Sequence, residues 1–115
     1  MDEAQIPLTT AMFHVLLALS DGDKHGYAIL KEIAEQTGGE VQLSTGTLYG
    51  IIKRLLENGM IKEVRKIDIK NDDSRRRYYR LTDSGRQTAV AEAKRLEKLV
   101  MRARSKRLVR NLRPT

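Results

Sequence analysis

The chain has 115 residues, 40% of them apolar and 32% charged, and a formal net charge of +7. That length suits one domain around one core, and one Phe, four Tyr and no Trp make the core mostly aliphatic. With no Cys, disulfides, thiolate zinc sites and cysteine nucleophiles are excluded.

The first predicted helix covers residues 11–20, capped by Thr9 or Thr10. It is apolar on almost every side (Met12, Phe13, Val15, Leu16, Leu17, Leu19) and carries more apolar surface than a three-helix domain alone covers. Met12, Phe13 and Leu16 are therefore expected at a contact with a second copy. The stretch falls short of the ~20 residues a bilayer span needs. No membrane helix is expected, and Asp2 and Glu3 stand where a secretory signal would be basic, so the expected location is the cytoplasm.

Asp21-Gly22-Asp23 ends this helix, and a second, about residues 26–37, aligns Ile29, Leu30 and Ile33 before Gly38-Gly39 stops it. After an extended link, Ser44 caps a third helix whose apolar residues Leu48, Ile51, Ile52, Leu55 and Leu56 recur at three and four, with Gly59 as its stop. Two β-rich runs then flank Asn71-Asp72-Asp73-Ser74 and predict an antiparallel hairpin with Tyr79 and Leu81 on one face. Thr82 caps a last helix predicted for residues 83–112, on the order of 45 Å long. Ala89, Ala93, Leu96, Val100 and Ala103 are spaced four, three, four and three along it, and Leu99 widens the seam. One compact domain cannot cover so long a stripe, so a two-fold dimer is expected.

The predicted fold is mainly α with a small β-hairpin: a winged helix-turn-helix over residues 1–81, followed by a long C-terminal dimerisation helix over 82–115. In that arrangement the third helix enters the major groove of double-stranded DNA and the hairpin follows the backbone. Opposite the Leu/Ile stripe lie Ser44, Thr45, Gly46, Thr47, Tyr49, Gly50, Lys53 and Arg54, with small and hydroxylated residues at the end where base edges are read. Gly46 and Gly50 each cost a helix about 1 kcal/mol relative to Ala, and close approach of a ligand is a reason to carry them. Lys70, Arg75, Arg76 and Arg77 surround the hairpin turn as candidate phosphate contacts.

Charge is partitioned in the same sense. Residues 1–43 hold two Lys against seven Asp and Glu, residues 44–81 hold ten Lys and Arg against five acids, and residues 102–115 hold six basic residues and no acid. Such blocks match a polyanion binder. His14 and His25 lack the spacing of a metal pair, no serine sits in a triad pattern and no glycine-rich phosphate loop occurs, so neither an enzyme nor a cofactor is expected.

Three stretches resemble the PadR family of bacterial transcriptional regulators: His25-Gly26-Tyr27-Ala28-Ile29, Ser44-Thr45-Gly46-Thr47-Leu48-Tyr49 with Lys53-Arg54-Leu55 behind it, and Arg77-Tyr78-Tyr79-Arg80-Leu81-Thr82 leading to Gly85. The likeness covers about residues 6–110, and the single C-terminal helix is similar to the short branch of the family. It implies a homodimeric DNA-binding repressor, with a small-molecule effector as a further candidate partner. The two-fold dimer expected from the last helix makes the operator an inverted repeat, and His25, which orients the start of the second helix, and Tyr27 are further candidates for the DNA face. The alternatives are an architectural or RNA-binding winged helix and a protein-interaction module without specific DNA readout.

Overall fold

The computed structural model describes residues 8–65 and 77–110. In chain order the elements are α1 (Thr10–Leu19), β1 (Lys24–His25), α2 (Gly26–Gln36), α3 (Thr45–Glu57), β2 (Ile61–Arg65), β3 (Arg77–Leu81) and α4 (Asp83–Ser105). The expected class, mainly helical with a small antiparallel sheet, is what the chain adopts.

Each α helix begins on a side chain that can accept a hydrogen bond. Thr9, His25, Ser44 and Thr82 are extended in backbone and accept from the amides of Met12, Ala28, Thr47 and Gly85. The predicted stops of α2 and α3 are also present. Gly38 and Gly59 turn into the left-handed region at φ 62° and 71°, and the following amides, of Gly39 and Met60, return to the carbonyls of Ala34 and Leu55 at 2.8 and 2.9 Å. Met60 is buried, so the end of α3 is pinned to the core as well as capped.

The core lies where α1, α2, α3 and the sheet meet: Met12, Val15, Leu16 and Leu19 pack with Ile29, Ile33, Leu48, Ile52, Leu55, Ile61, Tyr79 and Leu81. Tyr79 and Leu81 do share the inward face of β3. Strand β2 pairs with β3 antiparallel, Ile61 opposite Leu81 and Arg65 opposite Arg77. The turn residues between these strands lie outside the described residues.

Three expectations are corrected. The sheet has a third strand, in the order β1-β3-β2, with Lys24 opposite Tyr79 and His25 opposite Tyr78. Two residues are too few to show alternation in a sequence. Secondly, Met12 and Leu16 are 1% and 0% exposed inside the chain's own core and so do not face a second copy. The start of α4 folds back onto α1 and supplies cover that three helices alone would lack. Of α1, Phe13 is half-buried and Leu17 is exposed.

Finally, α4 ends at Ser105, seven residues before the expected Leu112. Arg107 turns left-handed at φ 65°, and the Leu108 amide closes on the Ala103 carbonyl at 2.9 Å. A non-glycine residue in that region costs about 1 kcal/mol. Around this end the like charges of Arg102, Arg104, Lys106 and Arg107 repel one another, and Leu108, 78% exposed, has no core to pull it into another turn.

The corner that seats α4 is tight. Thr82 donates its hydroxyl to the Gly59 carbonyl at 2.6 Å and its amide to the Met60 carbonyl at 3.1 Å. Gly85, buried one turn later, lies so close that a Cβ there would collide with the Met60 carbonyl oxygen. Further along, the helix leaves the domain: Leu99, Val100 and Met101 are exposed, and Ala89, Leu96 and Ala103 are half-buried. Among the described residues no helix is long and apolar enough to cross a membrane.

Candidate nucleic-acid interface

The two faces of α3 separate as the sequence implies. Leu48, Ile51, Ile52 and Leu55 are buried, whereas Ser44, Thr45, Gly46, Thr47, Tyr49, Gly50, Lys53 and Arg54 are exposed. At the N-terminal end the Ser44 hydroxyl accepts the Thr47 amide at 3.1 Å and donates to the Thr47 hydroxyl at 2.9 Å. This pairing caps the helix and fixes the Thr47 rotamer. Thr45, Gly46, Gly50, Lys53 and Arg54 remain as the outward surface, and neither Lys53 nor Arg54 forms an ion pair among the described residues.

A Cβ on Gly46 or Gly50 would meet nothing within 4 Å. Nothing inside the chain therefore requires glycine at either place. What they provide is a smooth stretch of backbone open to close approach from outside, flanked by hydroxyls at one end and two cations at the other.

A second group gathers at the start of α2. The His25 Nδ1 accepts the Ala28 amide at 3.2 Å, which leaves the proton of the neutral ring on Nε2. Its ring stacks beside Tyr27 at 6.5 Å and meets the edge of Tyr78 at 5.4 Å. Tyr27 is 69% exposed. His25 and Tyr27 thus stand together where α2 meets the sheet, and His25 is principally a helix cap. Tyr49 reaches the same place from α3: its ring lies over Gly26, so close that a Cβ there would collide with the phenolic oxygen. Burial pushes the Tyr79 phenol above its ordinary pKa, and Tyr49 within electrostatic reach adds to the shift.

On the wing, Arg77 is exposed and lies 3.5 Å from Glu63. Lys70, Arg75 and Arg76, the other predicted phosphate contacts, lie outside the described residues. Arg80 has a different role. It grips Asp23 through two bonds of 2.9 and 2.8 Å, and the hydrogen bonds and charge of Asp23 raise its already high pKa. This fork ties the turn before β1 to β3 across 57 residues of sequence. Lys24 is likewise committed inward, to the Ala18 carbonyl at 2.6 Å, Asp21 at 2.5 Å and Glu32 at 3.5 Å. Desolvation lowers its pKa, and the two carboxylates outweigh that to raise it.

Sequence reasoning missed Gly26, Asp23 and Arg80 as parts of this surface. Gly26 could have been found, since a glycine opening a helix is costly and asks for a reason. The Asp23–Arg80 fork leaves no sequence signal.

Comparison with known proteins agrees with this fold. The transcriptional regulator PadR-like family matches residues 15–91, more than half of the chain. A transcriptional regulator from Clostridium thermocellum superposes with a TM-score of 0.69 at 30% identity, covering 83% of this chain and 89% of that one. Bacillus subtilis PadR, solved in complex with operator DNA, superposes at 0.61 with 21% identity over 93% of this chain and 51% of its own. A protein X of Lysinibacillus sphaericus is 33% identical over 72 residues, 63% of this chain. The chain spans 64% and 24% of the lengths of the two curated relatives it matches. From the match over residues 15–91, the chain belongs to the PadR-like family of transcriptional regulators, and not to a family of enzymes.

Proposed function

We propose that this protein is a sequence-specific DNA-binding repressor acting as a homodimer. The α3 face of Thr45, Gly46, Thr47, Tyr49, Gly50, Lys53 and Arg54 enters the major groove, and the wing, with Lys70, Arg75, Arg76 and Arg77, follows the phosphates. Residues 1–81 form the DNA-binding unit. Residues 82–115 supply the dimerisation helix, whose stripe of Ala93, Leu96, Leu99, Val100 and Ala103 meets a second copy together with Phe13 of α1. A two-fold pair presents two recognition helices about one DNA turn or a multiple of it apart, so the operator is an inverted repeat. A small-molecule effector seated between α1 of one copy and α4 of the other releases it.

One observation carries this reading: α3 exposes glycines that nothing inside the chain needs, between hydroxyls and two cations. The relative solved with operator DNA supports it at the level of fold.

The test is an electrophoretic shift with the gene's own upstream region against random duplex and RNA of equal length. The expected result is preference for the upstream duplex, with log affinity falling linearly against log salt at about −0.9 per phosphate contact. Equal affinity for all three would reject specific readout. Light scattering tests the dimer: wild-type mass should be twice 13.1 kDa, and Leu96→Asp with Val100→Asp should halve it and abolish tight operator binding. Thermal shift with planar aromatic compounds tests release, and a chain neither stabilised nor freed from DNA by any of them is a constitutive binder.

A further inference from the structure

The DNA-readout reading leaves open what fixes α3 relative to the wing. Two adjacent residues sit at that junction. His25 pairs with Tyr78 of β3, touches its ring edge-on, and caps α2. Gly26, next in the chain and buried, lies beneath the Tyr49 ring of α3. A Cβ on Gly26 would sit 3.0 Å from Tyr49 Cζ and 3.6 Å from Leu48 Cδ2, besides colliding with the phenolic oxygen. Tyr49 itself is 47% exposed, so one edge of its ring is wet while the other occupies the notch.

We propose that Gly26 is a positioning residue for sequence readout: its missing side chain is the seat that holds the Tyr49 ring, and with it the outward face of α3, in register with the wing. The proposal rests on the DNA-readout reading above. Glycine at the start of a helix gives up more backbone freedom on folding than alanine does, so a chain shaped by stability alone has no use for it here. The space it opens is taken by Tyr49. The far end of a flexible side chain is the obstacle, not backbone, so Gly26→Ala has a way to fold by pushing the ring outward. The damage then falls on the placement of Tyr49 and not on the core.

Four proteins test this: wild type, Gly26→Ala, Tyr49→Leu and the double variant. Three quantities are read on each: Tm, the ratio of operator to random-duplex affinity, and, where Tyr49 is present, its ring resonance by fluorotyrosine NMR in the absence of DNA. Gly26→Ala should keep a Tm close to wild type, shift the Tyr49 resonance, leave random-duplex affinity unchanged and lower the ratio about tenfold, the scale of one base contact. In the Tyr49→Leu background, adding Gly26→Ala should leave the ratio unchanged and should hold or slightly raise Tm, because the atoms that collide are gone and alanine gives up less backbone freedom.

A ratio unchanged by Gly26→Ala while wild type discriminates would overturn the seat and leave the DNA reading intact. An equal loss with and without Tyr49 would overturn it too, as would a fall in Tm with both affinities dropping together, the mark of a merely structural glycine. A wild-type ratio of one overturns the DNA reading itself and the positioning role with it.

Discussion

Gly85 on α4 and Gly50 on α3 are both helical glycines, and their surroundings are opposite. A Cβ on Gly85 would be driven into the Met60 carbonyl oxygen, with Leu81 Cδ1 2.9 Å away. On Gly50, as on Gly46, it would meet nothing within 4 Å. The first glycine is explained by the chain's own packing, since it lets α4 lie flat on the corner between α3 and β2. The second has no internal explanation and weakens α3 by about 1 kcal/mol. A residue that costs stability and returns nothing inside the molecule points outward, which is why the proposed function puts the DNA contact on the α3 face and not on the α4 corner.

The largest effect expected from this contrast is at Gly85. The Met60 carbonyl accepts the Thr82 amide at 3.1 Å, so neither partner of the clash can swing away. Gly85→Ala should destabilise the fold by about 3 kcal/mol or more, lowering Tm by more than ~10 °C. Thermal unfolding followed by circular dichroism checks it, and an unchanged Tm would mean that α4 is not seated on this corner.

At Gly50 the sign reverses. Gly50→Ala should raise stability by about 1 kcal/mol and weaken operator binding about tenfold, as loss of close backbone approach is comparable to loss of one base contact. Denaturant titration and an operator binding curve on the same preparation read both. Greater stability with undiminished affinity would show that DNA does not approach α3 there and would dissolve the contrast.

The same contrast explains how much of the molecule was legible in advance. The course of α3 was readable because its apolar residues recur at helical spacing between a strong cap, Ser44, and a left-handed stop, Gly59. Both signals are local. The pairing of Tyr79 and Leu81 on one face was readable from strand period for the same reason. The third strand and the Asp23–Arg80 fork are contacts between residues far apart in the chain, and nothing near either partner announces them; the costly Gly26 at the start of α2 announces a close approach, but not that Tyr49 makes it. The burial of Met12 and Leu16 belongs with these: an all-apolar helix reads alike whether its own chain or a partner covers it. The end of α4 was overestimated because the spacing of Leu108, Val109 and Leu112 continues weakly past the point where any core exists to reward it.

Cations divide along the same line, into those held inward and those turned outward, and the smallest effect expected follows from this division. Lys24 is bound to Asp21, Glu32 and the Ala18 carbonyl, whereas Lys53 and Arg54 project from α3. The hydrogen bond from Lys24, and then its charge, hold the Asp21 carboxyl below the usual carboxylate range. A carboxylate whose pKa is depressed by folding stabilises the folded state above its unfolded pKa, and that contribution is lost as pH falls through the folded value. The affected window therefore lies at and below about pH 4. Asp21 is 74% exposed in its side chain, so solvent screens the pair and its weight is small. Asp21→Asn should accordingly leave Tm near neutral pH almost unmoved and flatten the acid limb of the stability curve slightly. Because Glu32 and the Ala18 carbonyl still hold Lys24, the substitution should leave the salt dependence of DNA binding as it is in the wild type. A steeper salt dependence in Asp21→Asn would mean that Lys24, once released, joins the phosphate contacts, and that the inward and outward cations are one exchangeable set.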